Sequence, residues 1–167
     1  MYDKLTQVDI DKMKDELEYR ITVVRPQILE EVKFTRGFGD LSENAEYHAA
    51  KRERGRNESR IRYLRNMIKT AVVITPQSRE GEVGLFDTVV YYVEEDDAVE
   101  SVRLVTKLRQ NSLERLISPE SPLGKALMGK KVGDRVRVQV NDDYHYDIVI
   151  REIQKGQDDP TLAIRKF

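Results

Sequence analysis

From Ile10 onward, apolar residues recur at Ile10, Met13, Leu17, Ile21, Val24, Ile28 and Val32, with charged side chains filling most of the gaps. The steps run 3, 4, 4, 3, 4, 4, so the stripe repeats every 11 residues. That period lies close to the natural pitch of a straight helix and predicts little left-handed supercoil. Thr6 with Asp9 three residues on forms a slightly irregular capping box for its start. Pro26 interrupts the run, where it removes a backbone donor and clashes with the preceding turn at a cost of roughly 3 kcal/mol. The stripe keeps its phase across Pro26, which predicts a local kink rather than two helices end to end.

A second helical pattern starts at Ser42 or Asn44 and continues to about Lys69, with Ala50, Asn57, Ile61, Leu64, Ile68 and Ala71 on its inner face. The half next to the preceding turn offers only alanines and Asn57 to a partner. So polar a helix cannot be buried deeply, and it is expected to pair with the first helix alone and project into solvent. The short run GFGDLS joins the two as an antiparallel helical hairpin. Some thirty helical residues at about 1.5 Å each reach on the order of 45 Å.

After Ala71 the period changes from helical to alternating. Val72-Val73-Ile74 is a short β-prone run, and TPQSREGEVG is a loop or linker by composition. Thr88–Val93 and Val102–Thr106 read as strands on either side of the acidic turn EEDDAVE. Arg135–Val140 and Tyr144–Ile150 read as a hairpin about Asn141-Asp142-Asp143. Between the pairs, Ser121-Pro122 begins a short helix through Leu127, with Ser as cap and Pro at the first helical position. The class is therefore α+β: a helical hairpin over residues 1–75, its turn near 38–46, and a small antiparallel sheet domain over 76–167. The tail residues Leu162, Ile164 and Phe167 fit an added strand or a frayed end equally well.

Composition removes several chemistries. The 167 residues include no Cys, so disulfides, thiolate nucleophiles and thiolate metal sites are excluded. Two histidines, His48 and His145, are too few for a histidine-rich metal centre. With 29 basic and 30 acidic side chains the net charge is -1, so any electrostatic attraction must come from uneven placement along the chain. No run has the length of a signal peptide or a membrane span, and a cytoplasmic protein is expected.

The uneven placement lies at and behind the hairpin turn. In GDLSENAEY, Asp40, Glu43 and Glu46 fall within seven residues. Asp40 followed by Glu43 fits a helix cap, which would satisfy orphan donors and suit the positive helix end. The same two carboxylates also fit an incomplete Mg²⁺ site, because that ion is commonly held by one or two acids plus substrate phosphates and water. A partner would then supply the remaining ligands, as in two-metal phosphodiester hydrolysis. Phe38 and Leu41 join no stripe, and apolar residues at an exposed tip suggest contact with another molecule. Just behind, KRERGRNESRIRYLR carries Lys51, Arg52, Arg54, Arg56, Arg60, Arg62 and Arg65 against Glu53 and Glu58. Such a run is a solvated helix face, a phosphate-tracking surface, or a complement to an acidic channel. Tyr47 and Tyr63 add aromatic contacts without the repeated interleaving of a single-strand platform.

These residues resemble a known family. FGDLSENAEYHAAKRE followed by RIRYLRNMI is similar to the tip and second helix of the bacterial transcript cleavage factors, the Gre family of RNA polymerase elongation factors. ISPESPLGKALMGKKVGDRVRV is similar to the signature of their C-terminal domain. The resemblance implies a coiled-coil hairpin joined to an FKBP-like domain that docks beside the secondary channel of RNA polymerase. It implies that Asp40 and Glu43 help hold a Mg²⁺ shared with the polymerase active site, so that the polymerase cleaves backtracked nascent RNA at its extruded 3′ end. Phe38, Leu41, Ser42, Asn44 and Tyr47 would support the tip or make contacts. Lys51, Arg52, Arg54, Arg56 and Arg60 would guide RNA or meet the partner, and Ser121, Pro122, Gly124 and Lys125 would belong to the docking region. The protein would be a monomer, no enzyme by itself, holding no cofactor stably alone. The segment from about Asp87 to Arg115, the acidic stretch Glu94–Asp97 and the C-terminal extension depart from the family pattern.

Two further readings follow from the same features. A family member that occupies the channel without promoting cleavage would slow nucleotide addition and leave backtracked RNA intact. A structural coiled coil dimerising through its hairpin fits less well, given the short apolar stripe. Gly124, Gly129 and Gly133 surround a short helix and turns rather than opening a nucleotide fold, which leaves Lys125, Lys130 and Lys131 as surface or partner-facing residues. Ser121 reads as a cap with no base to activate it, and both histidines read as surface residues. An FKBP-like fold does not by itself imply prolyl isomerase activity.

Overall fold

A computed structural model of the chain describes residues 2–40 and 43–166. By compactness these divide into one unit of residues 10–71 and another combining residues 3–9 with 72–166.

α1 (Gln7–Tyr19), which belongs to the first unit from Ile10 onward, passes through a π-helical turn, Arg20–Val24, into α2 (Arg25–Arg36). The expected kink at Pro26 thus takes the form of a widened turn that ends two residues before the proline. There Arg25 N–H donates to the Arg20 carbonyl, five residues back, and Pro26 sits in the first turn of α2 where no donor is needed. The partner helix, α3 (Ala45–Thr70), buries Tyr47, Ala50, Asn57, Ile61 and Leu64. It also buries Arg60, a position no apolar stripe would include. Ile10 and Met13 are buried, while Leu17, Ile21, Val24, Ile28 and Val32 are half-buried, as a slender two-helix arm permits.

In the second unit, β1 (Lys4–Leu5) pairs in parallel with β2 (Val72–Val73). A five-stranded sheet has the order β5-β4-β3-β7-β6. Its strands are β3 (Thr88–Val93), β4 (Ala98–Leu104), β5 (Leu116–Ile117), β6 (Arg135–Gln139) and β7 (His145–Gln154). Pairing is antiparallel except at the two-residue edge contact of β4 with β5. A bulge opposite Val90 and Tyr91 leaves Arg151 unmatched, and its guanidinium lies 5.0 Å from the Tyr92 ring centroid. The inward positions Val89, Tyr91, Val93, Val102, Leu104, Val138, Ile148 and Ile150 form one core with Leu127 of α4 (Pro122–Leu127). β4 begins earlier than the alternation predicted, because only residues 94–97 are needed to turn the chain. Among the described residues the tail adds no strand: Leu162 packs against Phe86, Val105 and Leu116, and Phe167 lies outside them.

No helix among the described residues is long and apolar enough to cross a membrane.

Candidate functional site: the hairpin tip

The last turn of α2 closes when Gly37 N–H donates to the Phe34 carbonyl and Phe38 N–H to the Thr35 carbonyl. Gly39 follows at φ 108°, a conformation that L side chains rarely adopt, so glycine lets the chain reverse there. Asp40 accepts the Glu43 N–H on its backbone carbonyl at 3.3 Å. Leu41 and Ser42, expected at the tip, lie outside the described residues.

The cap of α3 is Asn44 rather than Asp40. Its Oδ1 accepts from Tyr47 N–H at 2.9 Å, while its Nδ2 donates to the Thr35 carbonyl at 2.6 Å. One buried amide therefore satisfies an orphan donor of α3 and also ties α3 to the end of α2. Thr35 is buried with it, its hydroxyl donating to the Glu31 carbonyl at 2.9 Å. Tyr47 is buried on the next turn, with the Arg36 guanidinium 6.0 Å and Lys51 Nζ 5.3 Å from its ring centroid. The hydrogen bond to Arg36 holds the Tyr47 phenol below its ordinary pKa against the opposing effect of desolvation, and the charge of Lys51 adds to the lowering.

This brace leaves Asp40 and Glu43 exposed. Both line one shallow depression with Phe38, Asn44, Ala45 and Glu46. Among the described residues, no three His, Asp or Glu side chains gather into a set able to hold a metal ion. Two exposed carboxylates on one concavity suit partial ligation of an ion whose other ligands come from elsewhere.

Behind the tip, Lys51, Arg52, Arg54, Arg56, Arg62 and Arg65 are exposed along α3. Arg56 is partly occupied by Glu53 at 2.7 Å. Arg60, expected among the guiding cations, is instead buried: its Nε and Nη2 donate to Glu16 at 2.8 and 3.0 Å, and its guanidinium lies over the Tyr63 ring. Glu58 is likewise taken up, by Arg25 at 2.8 and 2.9 Å.

Ser121, Pro122, Gly124 and Lys125 lie at α4, remote in sequence from the tip. Ser121 Oγ accepts from Gly124 N–H at 3.1 Å as the helix cap. Gly124 is buried so closely against Ser118 that a Cβ would collide with the Ser118 carbonyl, so packing alone requires glycine. Pro122 and Lys125 are exposed, as are His48 and His145. Thr35 and Arg36 were not anticipated as parts of the tip, and the only local hint was an Asn immediately before a run of strong helix formers.

A polar two-helix arm thus carries exposed acids at its turn and is joined in one chain to a small sheet unit. Residues 4–73 match the family "Transcription elongation factor, N-terminal", and residues 77–155 match "Transcription elongation factor, GreA/GreB, C-term". The chain belongs to the GreA/GreB transcription elongation factor family. It is 41% identical to transcription elongation factor GreA of Macrococcus caseolyticus over 149 residues, 89% of this chain and 94% of that one. Against GreA of Geobacillus kaustophilus the identity is 42% over 136 residues, 81% and 86% of the respective chains. The crystal structure of GreA factor homolog 1 (Gfh1) of Thermus thermophilus aligns over 93% of this chain and 100% of that one, at 26% identity and a TM-score of 0.42.

Proposed function

We propose that this protein binds bacterial RNA polymerase, passes its hairpin into the secondary channel, and stimulates the polymerase's own hydrolysis of backtracked nascent RNA, rescuing arrested elongation complexes. The observation that carries this reading is the presence of Asp40 and Glu43 on one exposed depression in a chain 41% identical to a GreA. The protein is not itself the catalyst; it contributes carboxylates to another enzyme's active site.

In this mechanism the arm, residues 10–71, is the reaching element. The sheet domain, residues 76–167, is an FKBP-like docking module whose contact region includes Ser121, Pro122 and Lys125. Asp40 and Glu43 present oxygen ligands, and Asn44 with Thr35 keeps their turn in place. Mg²⁺ shared with the polymerase site supplies Lewis-acid polarisation of water and stabilisation of the leaving oxygen when bound. Lys51, Arg52, Arg54 and Arg56 offer charge along which the extruded RNA can run. The protein acts as a monomer in the cytoplasm, where its polymerase works. Retention of both acids and the identity with GreA proteins favour cleavage over a channel-occupying regulator that leaves RNA intact.

The test is a stalled, backtracked polymerase complex incubated with the protein and Mg²⁺. The parent protein is expected to release short 3′ fragments. Asp40→Asn and Glu43→Gln are expected to bind polymerase as the parent does and to lose the release. Cleavage at the parent rate by both variants would overturn the mechanism. Binding and slowed nucleotide addition without cleavage would identify the regulator instead.

A further inference from the structure

The proposed reaction uses the acids of the tip and leaves an aromatic pair beside them without a task. Phe34 is 68% and Phe38 51% exposed, yet their rings meet edge to face with centroids 4.8 Å apart. Two large rings held in water on a polar arm make no contribution to its core, and an edge-to-face pair fixes ring orientation rather than hiding area. The backbone beneath is closed by the Gly37 and Phe38 N–H bonds to the Phe34 and Thr35 carbonyls, so Phe38 stands on a defined turn. Phe38 lines the same depression as Asp40 and Glu43.

The surrounding sequence says what such a ring would meet. In Lys33-Phe34-Thr35-Arg36-Gly37-Phe38, exposed cations alternate with exposed rings. Interleaved cations and aromatic faces form the recognition pattern of single-stranded nucleic acid, whose phosphates track the charges while bases stack on the rings. A purely apolar contact with protein would gain nothing from Lys33 and Arg36, and the neighbouring carboxylates would be costly to desolvate against it.

We infer that Phe38, oriented by Phe34, is a stacking platform for the nucleobase at the 3′ end of the extruded RNA, placing that nucleotide beside Asp40 and Glu43. This rests on the proposed function and adds to it a substrate contact: the acids address the scissile region and the ring holds the base. Stacking tolerates every base but favours the larger purine face.

The experiment uses the full chain and backtracked polymerase complexes assembled on RNAs that end in adenine, in cytosine or in an abasic nucleotide. Cleavage rates are read at sub-saturating factor. Phe38→Ala is expected to slow cleavage of the adenine-ended RNA roughly tenfold and that of the cytosine-ended RNA less. Phe38→Trp is expected to restore the rate, and Phe38→Leu, apolar without a π face, is not. Phe34→Ala should give a smaller loss of the same kind. On the abasic RNA the parent should fall to the level of Phe38→Ala, with no further effect of the substitution. An equal loss on abasic and base-bearing ends means the ring meets the protein wall of the channel and overturns the inference, as does no loss on any RNA. Failure of the parent itself to cleave any of the three overturns the proposed function, and this inference with it; a base-independent defect overturns this inference alone.

Discussion

Arg60 and Glu16 face each other across the arm as a two-toothed pair, Nε and Nη2 of the guanidinium donating to Oε1 and Oε2 of the carboxylate at 2.8 and 3.0 Å. Arg20 Nε donates to the same Oε1 at 2.8 Å, and Arg20 Nη1 reaches Asn57 Oδ1 at 3.0 Å. Four polar residues therefore occupy the stretch of the helix interface where an apolar stripe would ordinarily run. The cluster lies beside the π-helical turn, and its fork geometry specifies which residues of α1 and α3 stand opposite each other.

Removing Arg60 leaves Glu16 with one cation instead of two and opens a gap over Tyr63. Arg60→Ala is expected to destabilise the arm by about 2–3 kcal/mol, since the guanidinium is buried but Glu16 retains some solvent. Replacing both partners, Glu16→Leu with Arg60→Met, is expected to be much closer to neutral. Hydrogen exchange of amides in residues 10–35 measures the difference directly, because it reads the opening of the arm apart from that of the sheet unit. Equal losses in the single and double variants would show that shape rather than charge holds this contact.

The same pair makes the arm sensitive to acid. Burial pushes the Glu16 carboxyl up, but the hydrogen bonds and charges of Arg60 and Arg20 outweigh it, and the net pKa lies below the ordinary 4.5. A depressed folded-state value means stability that is fully present above 4.5 and is lost as pH falls through the lower folded value. Helical content of the arm in moderate urea should hold from neutral pH to about 5 and then decline. Glu16→Gln should flatten that part of the decline while lowering stability at pH 7. Glu58 is also held below its ordinary value, with Arg25 as the principal cause, so some acid sensitivity is expected to remain in the variant.

The tip brace gives a prediction in which stability and activity separate. Asn44→Asp keeps an oxygen to accept Tyr47 N–H, and its charge suits the helix start, so α3 is expected to stay helical. It loses the Nδ2 donor to the Thr35 carbonyl and sets an anion against that oxygen, which loosens the turn carrying Asp40 and Glu43. Cleavage of backtracked RNA is expected to fall by about tenfold or more, while binding to polymerase is retained. A parent-like rate would mean that the bond to Thr35 does not position the acids.

Much of this architecture could be read from periodicity. The 11-residue stripe marked the first helix through Pro26, and alternation located β3, β6 and β7, because both signals are local. What escaped was set by partners far apart in the chain. A stripe that counts only apolar residues passes over Arg60, whose burial depends on Glu16, 44 positions away. The spacing of Asp40 and Glu43 favoured a capping box, but a cap depends on where the helix begins, and α3 begins after Asn44. Val72-Val73 reads as β-prone, but Lys4-Leu5 has no pattern of its own, and only the register across the chain defines the β1–β2 pair. At the tip the exposure of Phe38 followed from its having no stripe to join, whereas the brace from Thr35 required the fold itself.

The least expected residue is Arg109, a fully buried cation between β4 and β5. Its Nε pairs with Asp9 at 2.7 Å and its Nη1 with Asp158 at 2.6 Å, while Nη2 donates to Thr6 Oγ1 at 3.3 Å. Thr6 Oγ1 in turn donates to Asp158 at 2.7 Å, and the guanidinium lies 5.0 Å from the Phe86 ring centroid. One cation thus links the first turn of α1 to a tail beyond residue 155, where the family match ends. Because Asp9 is fully buried, losing Arg109 strands a carboxylate, and Arg109→Ala is expected to cost the sheet unit about 3–5 kcal/mol. Lysine should not rescue it, since a single ammonium cannot address Asp9, Asp158 and Thr6 together. Asp158→Asn should cost less, its carboxylate being partly solvated. In a double-mutant cycle followed by urea unfolding, Arg109→Ala and Asp158→Asn should couple by about 1–3 kcal/mol. Additive effects would mean that the tail lies against the unit without being tied to it through this charge.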